Sequence, residues 1–141
     1  MPTYKNISGK RIRLNKDDIN VDPNAIIETK YFYRDNRLKL IDVKPYYSPF
    51  VVSLVDDVSD SDNKKYDVFE RIFYIESLSG TLTINLNEPE SEKAFDIPEG
   101  TKYFFDNTKG NIDCIYIKSK EGTSQYYIVI YDEDYGDFFV E

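Results

Sequence analysis

The sequence has 141 residues, 18 basic and 26 acidic side chains, a net charge of −8, no His, no Trp and a single Cys. That length suits one domain able to bury roughly 70% of the surface its unfolded chain exposes, so neither a disulfide nor a metal is needed to hold it together. The missing imidazole excludes His-based triads, His proton shuttles and two-His metal sites, and so acidic a chain is a poor partner for a phosphate backbone.

Ile, Val, Tyr and Phe supply 15, 9, 13 and 9 residues against 7 Leu and 2 Ala. That mix fits pleated strands better than helices, and an all-β domain is expected. Residues 1–10 are polar and lack the apolar run of a signal peptide, so Asn6-Ile7-Ser8 reads as a chance glycosylation sequon. No apolar stretch is longer than about six residues, too short to cross a bilayer, and a soluble chain not exported by that route is expected. Strands are expected over residues 10–14, 26–33, 38–43 and 50–55, with Asp22-Pro23-Asn24 turning the chain between the first two. Asp56, Asp57, Asp60 and Asp62 give the segment 56–62 the charge for calcium but not the spacing. A calcium loop begun at Asp60 places Lys65 where Gly is required, so a solvated, mobile loop is expected.

Residues 68–78 put Phe69, Phe73 and Ile75 on one face, and in 81–87 Leu82, Ile84 and Leu86 alternate with Thr and Asn. Ser79-Gly80 supplies a turn, so these two strands are expected to pair as a hairpin. Further strands are expected over 94–97, 103–105, 112–118 and 125–131, separated by Pro98-Glu99-Gly100, by 107–111 and by Glu121-Gly122. Cys114 lies in an apolar stretch and reads as a small buried thiol. The run Tyr126 to Tyr131 is apolar on both faces, which suits the centre of a sheet. Residues 132–141 read as a last turn or an edge strand, and the acids in 132–137 show no ligand pattern. About ten short strands with frequent turns make an antiparallel β-sandwich or jelly roll.

Charge is unevenly spread. Residues 1–45 hold 10 basic and 6 acidic side chains, net +4, and residues 46–141 hold 8 and 20, net −12. The expected organisation is an N-terminal β segment over 1–45, part of the same unit or packed on a neighbour, and a sandwich core over 46–141. Opposite potentials steer association, which makes Arg11 and Arg13 in the basic N-terminal cluster candidate partner contacts, although solvated faces give the same composition. Tyr46, Tyr47 and Phe50 flank a rigid Pro49 and suit either an interface anchor, a sugar platform or the end of the core. No nucleophile elbow, P-loop or dinucleotide glycine motif is present, and no cofactor or metal ligand set is expected. Paired carboxylates for glycoside chemistry depend on spatial separation and have no sequence signature.

Two family resemblances follow from particular segments. Residues 97–107 resemble the second motif of the cupins, P-x-G-x2-H-x3-N: Pro98, Gly100 and Asn107 fall in register, Tyr103 stands at the metal-binding His, and Glu92 stands at the motif's leading Gly. Residues 70–75 with Ser79-Gly80 are similar to the strand and turn of the first motif, without its two His. The resemblance implies a cupin-like jelly roll whose metal site is lost, with Tyr103 left as a possible ligand contact. The stretch 4–14, then 19–21, Pro23-Asn24 and 26–29, resembles the opening of small tailed-bacteriophage virion proteins, with Asn24 at the usual Gly of a corner; Asn accepts the same left-handed backbone. That resemblance implies a virion structural subunit in capsid decoration, a head-tail neck or a tail adaptor, assembled in the host cytoplasm.

Together these readings favour a non-enzymatic assembly protein that contacts copies of itself or other virion subunits, with no nucleic-acid or membrane partner. A carbohydrate- or small-ligand-binding cupin-like module, with Tyr46, Tyr47 and Tyr103 as stacking residues, is the alternative. A His-free isomerase or lyase on the same fold is a third reading.

Overall fold

β-Branched and aromatic side chains pack best on a pleated surface, and the computed structural model describes residues 2–47, 51–134 and 139–140 as sixteen strands and their connections. The chain forms two compact units, Met1–Lys44 with Asp134–Glu141, and Pro45–Glu133.

In the first unit, β1 (Pro2–Asn6) is the centre of a three-stranded antiparallel sheet. It is flanked by β4 (Ile26–Glu28) and β6 (Leu38–Val43), while β2 (Ile12–Leu14) and β3 (Ile19–Val21) make a hairpin. Tyr4 faces Ile27 and Leu40 across the sheet and packs with Ile12, Leu14, Val21, Tyr33 and Leu38 into a small core. The turn after β1 is held by Asn6, whose amide donates to the carbonyls of Lys10, Val21 and Asp22. Residues 26–33, expected as one strand, divide into β4 and β5 (Phe32–Tyr33). Thr29 causes the break: its hydroxyl donates to the Asp17 carboxylate and accepts the Tyr31 N–H at 3.0 Å, which turns the backbone out of the ladder. Burial and the Asp17 carboxylate hold the Tyr33 hydroxyl above the ordinary phenol range.

The second unit begins with β7 (Tyr46–Tyr47). Eight strands follow: β8 (Val51–Ser59), β9 (Lys64–Asp67), β10 (Ile72–Ser79), β11 (Leu82–Leu86), β12 (Phe95–Ile97), β13 (Lys102–Asp106), β14 (Cys114–Ser119) and β15 (Thr123–Tyr131). One sheet has the order β13-β10-β15-β8-β7 and the other β12-β11-β14-β9, all antiparallel. The chain passes repeatedly between the two four-stranded sheets, in the strand order of a jelly roll, with β7 added at one edge. The all-β antiparallel architecture expected from composition and turns is therefore the observed one. β15 lies at the centre of the larger sheet, which explains why Tyr126 to Tyr131 are all buried. The buried thiol expected at Cys114 is also found.

Several local expectations fail for identifiable reasons. β10 and β11 do not form a hairpin; they belong to different sheets, and the Gly80 turn carries the chain across the sandwich. Gly80 has φ +70°, and a Cβ there would sit 2.3 Å from Ser124 Oγ, so the turn is drawn tightly against β15. Phe69 is 52% exposed, and Val68 takes the core position instead. Glu70 at φ +57° ends the extended backbone between Phe69 and β10, so the alternation through Phe73 and Ile75 does not extend back to Phe69. The acidic segment 56–62 is not a loop throughout: β8 includes Asp56 and Asp57 and runs to Ser59, and the chain returns as β9, with Lys64 3.8 Å from Asp56. At the other end, β16 (Phe139–Val140) pairs parallel with β5, so 134–141 group with the first unit and the sandwich ends at Glu133.

Candidate functional site

A jelly roll offers two kinds of site, the space between its sheets and the surfaces outside them. Here the space between the sheets is filled. Phe73, Ile75, Leu82, Ile84, Ile117 and Ile128 project into it, none of them more than 1% exposed. Tyr126 completes the packing and shares a 2.5 Å hydrogen bond with the Tyr66 hydroxyl from the opposite sheet.

The segment that resembles the second cupin motif forms a tight turn. Thr101 N–H donates to the Pro98 carbonyl, Gly100 has φ +79°, and Gly100 N–H donates to the Ser77 carbonyl at 2.9 Å. Asn107 is 3% exposed and donates to the carbonyls of Val68 and Ile112. Tyr103, at the position of the metal-binding His, is part of an aromatic seam between the edge strands β12 and β13. Its ring centroid lies 4.9 Å from Phe95, 6.2 Å from Phe105 and 6.4 Å from Phe73. Burial raises its phenol above the ordinary range. Among the described residues no three His, Cys, Asp or Glu side chains come together in a metal-sized group.

Of the other residues singled out from sequence, Arg11 pairs with Asp22 at 3.4 Å and Arg13 with Asp18, so each guanidinium is partly neutralised within the β2–β3 hairpin. Such exposed pairs contribute about 0–1 kcal/mol. Tyr46 and Tyr47 lie on the edge strand β7, opposite Ser53 and Val52; their side chains, and Phe50 altogether, fall outside the described residues. In the tail, Asp132 pairs with Arg71 at 3.1 Å, and residues 135–137 fall outside the described residues.

Three features have no counterpart in the sequence reading. Glu76 is 9% exposed on β10, 3.6 Å from Lys102 on β13; its carboxyl is pushed up by burial, with the ammonium acting against the shift. A depression of about 680 Å³ is lined by Asn87, Glu88, Glu90, Glu92, Lys93 and Asn111 and is open to solvent. The third is an apolar surface. Ile7, Ile19, Ile26, Ile41 and Phe69 are the large exposed hydrophobic residues among those described, and the four isoleucines all belong to the first unit. Ile26 and Ile41 face outward from the β4–β1–β6 sheet, on the side opposite Tyr4, and Ile7 is exposed just past the end of β1. The alternation of Thr3 and Lys5 with Tyr4 and Asn6 is the signal that would have located this face, had β1 been recognised as a strand.

No protein-family model and no curated protein matches the sequence. Among solved structures, the chain is similar over 57% of its length to hydroxypropylphosphonic acid epoxidase from S. wedmorenis in complex with fosfomycin, covering 43% of that chain at 21% identity and TM-score 0.46. It is similar over 57% of its length to an HTH_3 family transcriptional regulator from Vibrio cholerae, covering 42% of that chain at 11% identity and TM-score 0.45. A conserved protein of unknown function from Streptococcus pyogenes is matched over 61% of this chain and 68% of its own, at 13% identity and TM-score 0.46. The aligned region thus spans about two-fifths of the length of the regulator and the epoxidase.

Proposed function

We propose that this protein is a non-enzymatic structural subunit that works through contacts with other protein subunits, and that its setting is a virion. The observation that carries the contact role is the distribution of apolar surface. The sandwich interior is closed by aliphatic and aromatic side chains, while Ile26 and Ile41 stand exposed on one face of the N-terminal sheet and Ile7 is exposed just past the end of its central strand. Exposed isoleucines grouped on a sheet face are a feature of interaction surfaces rather than of free surface. The virion setting rests on the sequence resemblance of residues 4–29, supported by two details: Gly9 at φ +76° in the turn after β1, and Asn24 at φ +65°, the left-handed corner that its substitution for Gly requires.

The test is light scattering on the purified full chain, alone and mixed with the products of the genes that flank its own. A complex that Ile26→Asp abolishes is the expected result. A chain that neither self-associates nor binds any flanking product, or that turns over a metabolite, overturns the proposal.

A second reading, a sugar- or small-ligand-binding module, is favoured by the half-buried seam of Phe95, Tyr103 and Phe105. A glycan array separates it from the first: binding that Tyr103→Ala removes supports the module, and an empty array refutes the sugar form.

A further inference from the structure

The outward face of the β4–β1–β6 sheet carries an ordered charge pattern as well as isoleucines. Residues directly opposed in antiparallel strands share a face, so the register sets Ile26, Lys5 and Lys39 abreast in one row. Glu28, Thr3 and Asp42 lie abreast in the next. Ile41 is the extra residue at the register shift and lies beside Asp42 on β6. Glu28, Lys39, Asp42, Ile26 and Ile41 are exposed and Lys5 is half-buried. Among the described residues none of the four charged groups forms an ion pair. One row is positive and the other negative, two residues or about 7 Å apart along the strands.

We propose that this face docks on the same face of a second copy of the chain, about a two-fold axis that runs across the strands between the two rows. The proposal rests on the reading of this protein as a contact-making subunit and names one of its partners. A rotation about that axis exchanges the rows. Lys39 of each copy comes to lie over Asp42 of the other, and Lys5 over the other's Thr3, between its Glu28 and Asp42. Ile26 and Ile41 are then covered by the side chains of the facing Glu28 and Lys39, whose hydrocarbon stems pack on apolar surface. The same residue pairs occur twice, as an isologous interface requires. A two-fold axis along the strands instead stacks basic row on basic row, and like charges brought together select against it.

The face is small. The strands have three, five and six residues and lie about 4.8 Å apart, so the face covers no more than a few hundred Å², against about 800 Å² per partner in a standard interface. The pairing is therefore weak for isolated chains, with a dissociation constant on the order of 10–1,000 μM, and it weakens further as salt screens the exposed charges.

Sedimentation equilibrium of the full chain tests this, from about 10 μM to about 1 mM and at low and high salt. The average mass is expected to rise from 16.6 kDa toward twice that value with concentration, and to rise less at high salt. Lys39→Asp alone and Asp42→Lys alone are each expected to weaken the dimer about tenfold or more, since each places like charges in contact twice. The double swap, Lys39→Asp with Asp42→Lys, is expected to restore it. Both side chains are exposed, and circular dichroism confirms that each variant is folded. A wild-type chain that stays monomeric at the highest concentration overturns the pairing, as do single reversals without effect or a double swap that fails to recover. Turnover of a substrate would sink the structural-subunit reading without touching this measurement. A strict monomer that still binds a flanking gene product would sink the two-fold pairing alone.

Discussion

Asn107 is the residue whose removal tests most directly how the jelly roll is held. It is 3% exposed, donates to the Val68 carbonyl at 2.7 Å and the Ile112 carbonyl at 2.8 Å, and accepts the Ile112 N–H at 3.3 Å. Asn107→Ala removes all three bonds at once. It leaves the Ile112 carbonyl and N–H facing a gap that a methyl group does not fill, while the Val68 carbonyl keeps the Arg71 N–H at 3.0 Å. Each orphaned group of Ile112 costs about 1 kcal/mol or more and the lost bond to Val68 adds about 0.5 kcal/mol, so the sum is about 2–3 kcal/mol, in the upper part of what single substitutions do. Asn107→Asp keeps the shape and the bond from Ile112 N–H, but sets a carboxylate oxygen in place of the amide nitrogen against two carbonyl oxygens, so it is expected to cost at least as much at neutral pH. Urea denaturation followed by circular dichroism measures both. With a slope of about 1–3 kcal/mol/M, the midpoint should fall by about 1–3 M with the slope unchanged. A loss below about 1 kcal/mol for Asn107→Ala would refute the claim that this side chain ties the two loops together.

Three further outcomes follow from particular contacts. Gly80→Ala should cost about 2–4 kcal/mol, from left-handed strain at φ +70° plus the 2.3 Å approach to Ser124 Oγ; Gly80→Ala with Ser124→Ala should recover only the steric part, and a single variant within 0.5 kcal/mol of wild type in the urea assay refutes the tight-turn account. Glu76 has its carboxyl raised from 4.5 by burial, so the folded state holds that proton more tightly than the unfolded chain does. Its contribution is present below the unfolded value and is lost as pH rises through the folded one, so stability should fall more steeply from pH 4 upward in wild type than in Glu76→Gln, and parallel curves refute this. Tyr103→His introduces the residue type that the cupin motif carries at that place but meets Phe95, Phe73 and Phe105 rather than other ligands; calorimetric titration with Ni²⁺ or Zn²⁺ should show no binding beyond wild type, and a new site of micromolar affinity would refute the description of the seam.

What the sequence discloses depends on whether a signal is local. Leu82, Ile84 and Leu86 alternate over a half-buried strand, and β11 and β6 are recovered within a residue of their expected ends. β9 is Lys64-Lys65-Tyr66-Asp67 at a sheet edge, with Tyr66 alone packed against the core, so it has no hydrophobic period to read. β1 is similar, with Tyr4 its one large apolar residue. Pairing is less legible still. Ser79-Gly80 between two strands is ordinary hairpin chemistry, but β10 pairs with β13 and with β15, whose Ile128 faces Ile75 from far along the chain. Turn geometry makes Pro98 and Gly100 recognisable because the turn closed by Thr101 N–H on the Pro98 carbonyl is local, whereas Asn107 reaches Val68 as well as Ile112. The surroundings of Tyr103 were not recognisable, since Phe95 reaches it only through the fold. The two charged rows required the register of a strand that sequence alone had not revealed.

Buried asparagine is the common device of both units. Asn6, 0% exposed, donates to three carbonyls, and its Oδ1 accepts from the backbone and the hydroxyl of Ser8; Asn107 joins two loops of the sandwich in the same way. A primary amide carries two donors and two acceptor sites on a short, uncharged side chain, so it can close several backbone groups in a loop without the desolvation cost of an ion. That matters in a chain of short strands joined by many connections, where each turn leaves N–H and C=O groups outside any ladder. Isolated from water, those groups must find partners or cost more than the small cores recover. The two asparagines thus account for an otherwise odd feature of this molecule: its buried polar side chains include residues at or just past a strand end, whose amides reach the backbone groups of the adjoining turns.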